Sequence, residues 1–204
     1  MSDSSTLVII MCKAPIEGKV KTRLMSKYTA LEAMQWHQAM ANTVIERAKG
    51  LFQDVWLAVD DIEHSFFSTF ELPVYAQGEG GLGERMAHIM LQASKFGFQK
   101  LLFLGTDSPH MNDERLIHAS LALNDYDVVF GAVEDGGYDL IAMNHAYPAL
   151  FSGVSWSSEH VLTQSLAIAE QHNLHCLVLE ESFDVDTPEM LDKAQNLGWM
   201  IQSS

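Results

Sequence analysis

"LLFLGTDSPHM", residues 101–111, places four large apolar side chains in a row and then turns through glycine to a carboxylate beside a proline. Four consecutive apolar residues without polar alternation fit a strand covered on both faces, the usual state of a parallel strand in a layered α/β protein. Asp107 then lies just past the carboxyl end of that strand. Open α/β sheets bind ligands at that edge. A turn-former and a ligand-binding carboxylate both suit the position, and the segments on either side decide between them.

Working outward, strand-like and helix-like stretches alternate. "TLVIIMC" (6–12), "DVWLAV" (54–59), "LPVYAQ" (72–77), "KLLFLG" (100–105) and "LHCLVL" (174–179) read as strands. "ALEAMQWHQAMANTVIERAK" (30–49), "LGERMAHIMLQASKFG" (82–97), "NDERLIHASLAL" (112–123), "SSEHVLTQSLAIAEQH" (157–172) and "TPEMLDKAQNLG" (187–198) carry helical patterning. Gly97 suits a helix C-terminus, Asn112 an N-cap and Pro188 a first turn. "YDVVFGAV" (126–133) and "YDLIAM" (138–143) flank "EDGG" and read as neighbouring strands. Such alternation predicts a layered α/β domain with a largely parallel sheet. With 204 residues and no repeat or linker, one domain over 1–204 is expected, large enough to bury roughly 70% of its unfolded surface.

Composition narrows the function classes. A formal charge of −15 argues against DNA or RNA polymers as partners, since phosphate neutralisation needs a positive surface. Yet five of the twelve Lys and Arg residues (Lys13, Lys19, Lys21, Arg23, Lys27) fall within fifteen positions. A positive island in an acidic protein suits a small anion, and a solvated basic loop is the alternative. Leu7 to Cys12 is too short for a membrane span and lacks signal-peptide flanks, so a cytoplasmic protein is expected. Cys12 and Cys176 suggest neither a disulfide nor a zinc framework.

Several motifs carry possible chemistry. In "CKAPIEGKVKTRL" (12–24) a loop leaves the first strand with four positive side chains. Gly18 allows close backbone approach, while Lys13, Lys21 and Arg23 can neutralise phosphate charge. The P-loop spacing is absent. "GEGGLGERM" (78–86) contains a formal G-x-G-x-x-G at Gly78, Gly80 and Gly83, but on the third strand rather than the first, so a dinucleotide oxidoreductase is a distant alternative. Asp107 in "GTDSP" and Asp186 in "DVDTPEM" each follow an apolar strand and precede Ser or Thr and Pro. Together they could hold Mg²⁺ on a polyphosphate, although D-T-P-E is also a helix-start signature. Asp135-Gly136-Gly137 reads equally as a hairpin turn and as a place where a sugar approaches the backbone.

The ordered set "KAPIEGKVKTRL", "QGEGGLGERM", "GTDSP", "EDGGYDL", "VSWSSEHVL" and "DVDTPEM" resembles a small bacterial glycosyltransferase branch of the nucleotide-diphospho-sugar transferase superfamily. The resemblance runs over nearly the whole chain. It implies a three-layer α/β/α, Rossmann-like fold of the GT-A type with a mixed, mostly parallel sheet. It further implies that Lys13, Lys21 and Arg23 hold nucleotide phosphates, that Asp107 and Asp186 bind Mg²⁺ or Mn²⁺, that Glu84 and Arg85 lie on the segment closing over the nucleotide, and that Asp135 to Gly137 face the sugar or acceptor. Asp107, Lys21 and Arg23 would act in catalysis. The implied activity is metal-dependent glycosyl transfer from a nucleotide-sugar to a small-molecule acceptor. Nucleotidyl transfer from a nucleoside triphosphate, or a nucleotide-binding module without turnover, are the alternatives. The chain departs from the family pattern at Gly81, usually Asp, and at Gly131-Ala132, usually Gly-Pro.

Overall fold

A computed structural model describes residues 6–200. Seven strands, β1 (Thr6–Cys12), β2 (Asp54–Val59), β3 (Val74–Ala76), β4 (Lys100–Leu104), β5 (Val128–Val133), β6 (Tyr138–Met143) and β7 (Cys176–Ser182), form one sheet in the order β3-β2-β1-β4-β6-β5-β7. β6 runs antiparallel to both its neighbours, β4 and β5; the remaining pairs are parallel. The sheet is therefore mixed and mostly parallel, as the resemblance implies.

β4 sits between β1 and β6, and Leu101, Leu102, Phe103 and Leu104 are buried on both faces. Full burial of such side chains contributes roughly 1.5–3 kcal/mol each relative to exposure. On one face Val8, Ile10, Leu102 and Leu104 pack under α1 (Ala30–Leu51) and α4 (Asp113–Ala122). On the other, Leu7, Ile9, Leu101 and Phe103 pack under α3 (Leu82–Lys95) and α5 (Val161–Gln171). This gives the three layers. The short α2 (Ser65–Ser68) and the 3-10 turns Thr22–Ser26 and Pro148–Phe151 have no periodicity long enough to read from sequence.

Local chemistry sets the boundaries. Thr29 and Glu32 form a reciprocal capping box that starts α1. Asn112 accepts from Arg115 N at 2.9 Å and starts α4. Gly97, at φ 94°, follows the last turn of α3. Thr187, rather than Asp186, caps α6 (Pro188–Asn196), accepting from Met190 N.

A third, smaller core seats the functional loops. Leu24 from the 3-10 turn after the basic loop packs with Phe183 and Val185 from the loop after β7, and with Leu191 and Trp199. Val185 N also donates to Asp107 O at 2.7 Å. Three segments distant in sequence are thereby fixed at one edge of the sheet.

Candidate active site

That edge collects the carboxyl ends of β1, β4 and β7 and, because β6 is reversed, its amino end. β1 pairs with β2 on one side and β4 on the other, so the chain departs in opposite directions from the middle of the sheet. A crevice is expected at such a switch point, and one is found there with two lobes. The first, about 630 Å³, is walled in part by Lys13, Lys19, Lys21, Arg23, Gln77 and Arg85. The second, about 510 Å³, is walled in part by Asp135, Tyr138, Asp139, Trp156, Glu159 and Asp184. Asp107, Asp186 and Arg23 border both.

Lys21 is the pivot. Its Nζ lies 2.8 Å from Asp107 Oδ1, 2.9 Å from Asp186 Oδ1 and 2.8 Å from Val185 O. An ammonium has three donors, and all three have an acceptor. The Lys21 side chain is 4% exposed, whereas those of Asp107 and Asp186 are 43% and 37% exposed and face the cleft. Burial works against the charge on Lys21, but the Asp107 and Asp186 carboxylates outweigh it and hold its pKa above the usual lysine range. Burial likewise opposes charge on Asp107, and Lys21 outweighs it, keeping the carboxyl below its usual range. Arg23 Nη1 reaches Asp186 Oδ2 at 3.2 Å. Lys21 adopts φ 47°, ψ 41°, a left-handed conformation costing about 1–2 kcal/mol in a residue with a Cβ. Such strain clusters at functional sites.

The remaining residues singled out in the sequence fall into two groups. Lys13 and Arg85 stand in the wall of the basic lobe. His37 is buried, and its Nε2 lies 2.9 Å from Lys13 O, while Asp60 Oδ1 accepts from Ala14 N at 2.6 Å, so the start of the basic loop is pinned from both sides. Arg85 is aimed by Gly80 O at 2.9 Å and Gln77 Oε1 at 3.3 Å. Asp135 and Gly137 border the acidic lobe, and Asp135 Oδ1 accepts from Gly137 N at 3.0 Å, so the hairpin turn and the cleft wall share one residue.

The second group stands outside the cleft wall. Glu84 accepts from Gly81 N at 2.8 Å and caps α3. Gly18, at φ 75°, makes the tight turn within the basic loop. Gly136, at φ 85°, lets the backbone of Glu159 pass over the hairpin: a Cβ there would meet Glu159 O at 2.1 Å. Gly83 of the G-x-G-x-x-G run faces Phe151 O and Trp156 Nε1, where a Cβ would come within 2.3 and 2.4 Å, so this glycine serves helix packing.

Sequence reasoning passed over Asp139, Asp184 and Arg115. Along the β5–β6 ladder Gly131 pairs with Leu140 and Ala132 with Tyr138, leaving Asp139 as the extra residue of a bulge. Bulges re-aim side chains. Arg115 Nη2 lies 3.2 Å from Asp139 Oδ1 and from Ala132 O, and Nη1 donates to Glu180 O at 2.6 Å. Ser108 Oγ donates to Asp184 Oδ1 at 2.6 Å. Burial pushes Asp139 up to about 6 against the pull of Arg115 and of the backbone N–H groups of Leu140 and Asp139. Burial, then the Asp107 charge, pushes Asp184 up to about 7. The D-x-D spacing of Asp184 and Asp186 was a visible signal for the former; nothing in the sequence marked the bulge.

The sheet order and this crevice define a nucleotide-diphospho-sugar transferase-like fold. A family model described as "Uncharacterized protein conserved in bacteria (DUF2064)" matches residues 41–158. The chain belongs to that family. Among solved structures, a "putative nucleotide-diphospho-sugar transferase" from Desulfovibrio desulfuricans G20 is similar at TM-score 0.85 and 28% identity, over 90% of this chain and 83% of that one. The fold is shared with a CMP:2-keto-3-deoxy-manno-octonic acid synthetase in complex with CTP (TM-score 0.62, 13% identity, 95% and 98% covered). It is shared too with the 4-diphosphocytidyl-2C-methyl-D-erythritol synthase of Anaerococcus prevotii DSM 20548 (TM-score 0.61, 13%, 94% and 96%). No curated protein matches the chain.

Proposed function

We propose that this protein is a divalent-metal-dependent glycosyltransferase that takes a nucleotide-diphospho-sugar and passes the sugar to a small acceptor. The observation that carries the reading is the polarity of the cleft: a basic lobe and an acidic lobe meet at the Asp107–Lys21–Asp186 cluster. A diphosphate suits the basic lobe, where Lys13, Lys19, Arg23 and Arg85 neutralise its oxygens. A sugar suits the acidic lobe, where carboxylates accept from hydroxyls and Trp156 and Tyr138 offer flat apolar faces.

The donor set fits a hard cation. Asp107 and Asp186 are brought together by the Lys21 ammonium between their Oδ1 atoms, and both side chains remain partly open to the cleft. Mg²⁺ typically takes one or two carboxylates and fills its remaining positions with phosphate oxygens and water. These two residues would hold it, and it would supply Lewis-acid neutralisation of the phosphate charge. Among the described residues no group of three or more His, Cys, Asp or Glu side chains is arranged for a metal, so substrate oxygens would complete the shell.

Each part of the chain then has a task. The basic lobe binds and orients the diphosphate. Arg23 stands beside the junction and stabilises the negative charge that grows on the leaving nucleoside diphosphate, while Lys21, its three donors taken, fixes the two carboxylates in place. The acidic lobe positions the sugar and acceptor hydroxyls. Nucleotidyl transfer is the second reading, favoured by the number of cations in the basic lobe, which is enough for a triphosphate. The acidic lobe speaks against it where the acceptor is a phosphorylated compound, because like charges repel.

Calorimetry of UDP, GDP and CDP with and without Mn²⁺, on the natural protein and on Asp107→Asn, tests the reading. Metal-dependent binding that vanishes in the variant is expected. Metal-independent affinity, equal in both proteins, overturns it. Release of a nucleoside diphosphate from nucleotide-sugars, against release of pyrophosphate from triphosphates, separates the two transfers.

A further inference from the structure

Resting on that two-lobe reading, we infer that the acidic lobe is built for the ammonium group of an amine-bearing sugar, with Asp139 as its anchor. The first observation is an imbalance of charge. Asp135, Asp139, Glu159 and Asp184 line this lobe, while the Arg23 guanidinium at its border already faces Asp186. Arg115 balances Asp139 from behind the wall. Asp184 stays largely protonated in weakly acidic solution, and among the described residues Glu159 has only the His160 imidazole near it, at 3.9 Å, so Asp135 and Glu159 leave the lobe with an excess of negative charge.

The second observation is independent of that count. The Asp139 side chain is 1% exposed, and Arg115 meets only its Oδ1. Oδ2 has no hydrogen-bond partner among the described residues. A buried carboxylate with one oxygen left over is costly unless a donor arrives, even where its charge is already balanced from behind. The residue is not there by default: as the bulged position of β6 it is displaced from the ladder, and Gly131 opposite supplies the room, since a Cβ there would come within 2.2 Å of Asp139 Oδ1. A sugar hydroxyl would satisfy the hydrogen bond alone. An ammonium satisfies that hydrogen bond and also offsets the negative charge that Asp135 and Glu159 bring to the same lobe. The Trp156 and Tyr138 rings in the same wall are compatible with a cation as well as with a sugar face.

Saturation-transfer NMR on the full chain, at a pH where the amine is protonated, compares D-glucosamine, D-glucose and N-acetyl-D-glucosamine, which share a ring and differ in charge. Glucosamine is expected to bind about tenfold tighter than either neutral sugar, the scale of one charge-assisted hydrogen bond. Asp139→Asn should abolish that preference. Glu159→Gln, at a side chain 81% exposed that lies 3.9 Å from the His160 ring, should reduce it about twofold. It keeps the test decisive if Asp139→Asn fails to fold. Equal affinities for the three sugars, no saturable binding of any, or a preference unchanged in the variants would overturn the inference. Nucleoside diphosphate affinity is read on the same samples. Its absence beside an intact glucosamine preference would sink the transferase reading alone; its presence without the preference would sink only this inference.

Discussion

The ammonium of Lys21 lies 2.8 Å from Asp107 Oδ1, in a side chain 4% exposed and held by a left-handed backbone. The same nitrogen reaches Asp186 Oδ1 at 2.9 Å. One buried cation from near the start of the chain thus holds together two carboxylates from its second half, at the point where the two lobes of the cleft meet. The carboxylate after "LLFLG" therefore points at a buried charge from the wall of the cleft.

Lys21→Met removes that charge with little change of shape and leaves two carboxylates facing each other. Breaking a buried pair costs about 3–5 kcal/mol. Here both acids are partly open to water, so about 2 kcal/mol is expected, a fall in Tm of about 4–8 °C for a chain of this size. Millimolar Mg²⁺ or Mn²⁺ should restore much of the loss in a thermal-shift assay, because a divalent cation replaces the missing charge. A deficit untouched by metal would show that these carboxylates do not bind one.

Asp186 and Thr187 separate by the same logic. Thr187→Ala removes the α6 cap and should cost about 0.5–1 kcal/mol, with nucleotide affinity unaltered. Asp186→Asn leaves the cap in place and should weaken Mn²⁺-dependent nucleotide binding by more than about tenfold. Denaturant midpoints and calorimetry on the two variants read the two effects. If Thr187→Ala carries the binding defect instead, the sequence signature of a helix start was the whole meaning of "DTPE".

Stability should fall as pH rises through the weakly acidic range. Asp139 is raised to about 6 and Asp184 to about 7, chiefly by burial. Between the unfolded carboxyl value near 4 and those values, the folded protein binds more protons than the unfolded chain, so deprotonation favours unfolding, by up to about 1.4 kcal/mol per pH unit for each group. Above about pH 7 the contribution flattens. Asp107, held low by Lys21 against its own burial, acts in the opposite sense, and its stabilisation is lost as pH drops below about 4. Urea midpoints across this range should show a negative slope that Asp139→Asn reduces. A flat profile from about pH 5 to 7 would contradict the burial of these two carboxyls.

The layered fold was readable because its signals are local. An unbroken apolar run at β4, an asparagine cap before α4 and a glycine after α3 each fix an element without reference to the rest of the chain. Asp107, Asp186, Lys21 and Arg23 were readable as candidates because strand ends and clustered charge are visible in one dimension. Their meeting point was not, since it depends on the small core in which Leu24 packs with Phe183 and Val185. Asp139 was hidden for a different reason. "YDLIAM" gives no sign that the second residue leaves the ladder, because the bulge is fixed by Gly131 opposite and by Arg115, which gathers the carbonyls of Ala132 and Glu180. Glu84 caps α3, and a carboxylate at the first turn of a helix suits a cap as well as a ligand.

Gly83 and Gly50 give the last prediction, since both lie in helices and only one is confined. A methyl at Gly83 would sit 2.3 Å from Phe151 O and 2.4 Å from Trp156 Nε1, and a backbone oxygen cannot swing aside. Gly83→Ala should cost about 1–3 kcal/mol and displace Trp156 from the acidic lobe, visible as a change in tryptophan fluorescence. At Gly50, near the end of α1, a Cβ meets nothing within 4 Å, and Gly50→Ala should stabilise by about 0.5–1 kcal/mol through helix propensity. Equal responses at the two positions would mean that α3 does not rest on the Phe151–Trp156 segment, and that the wall of the acidic lobe is held some other way.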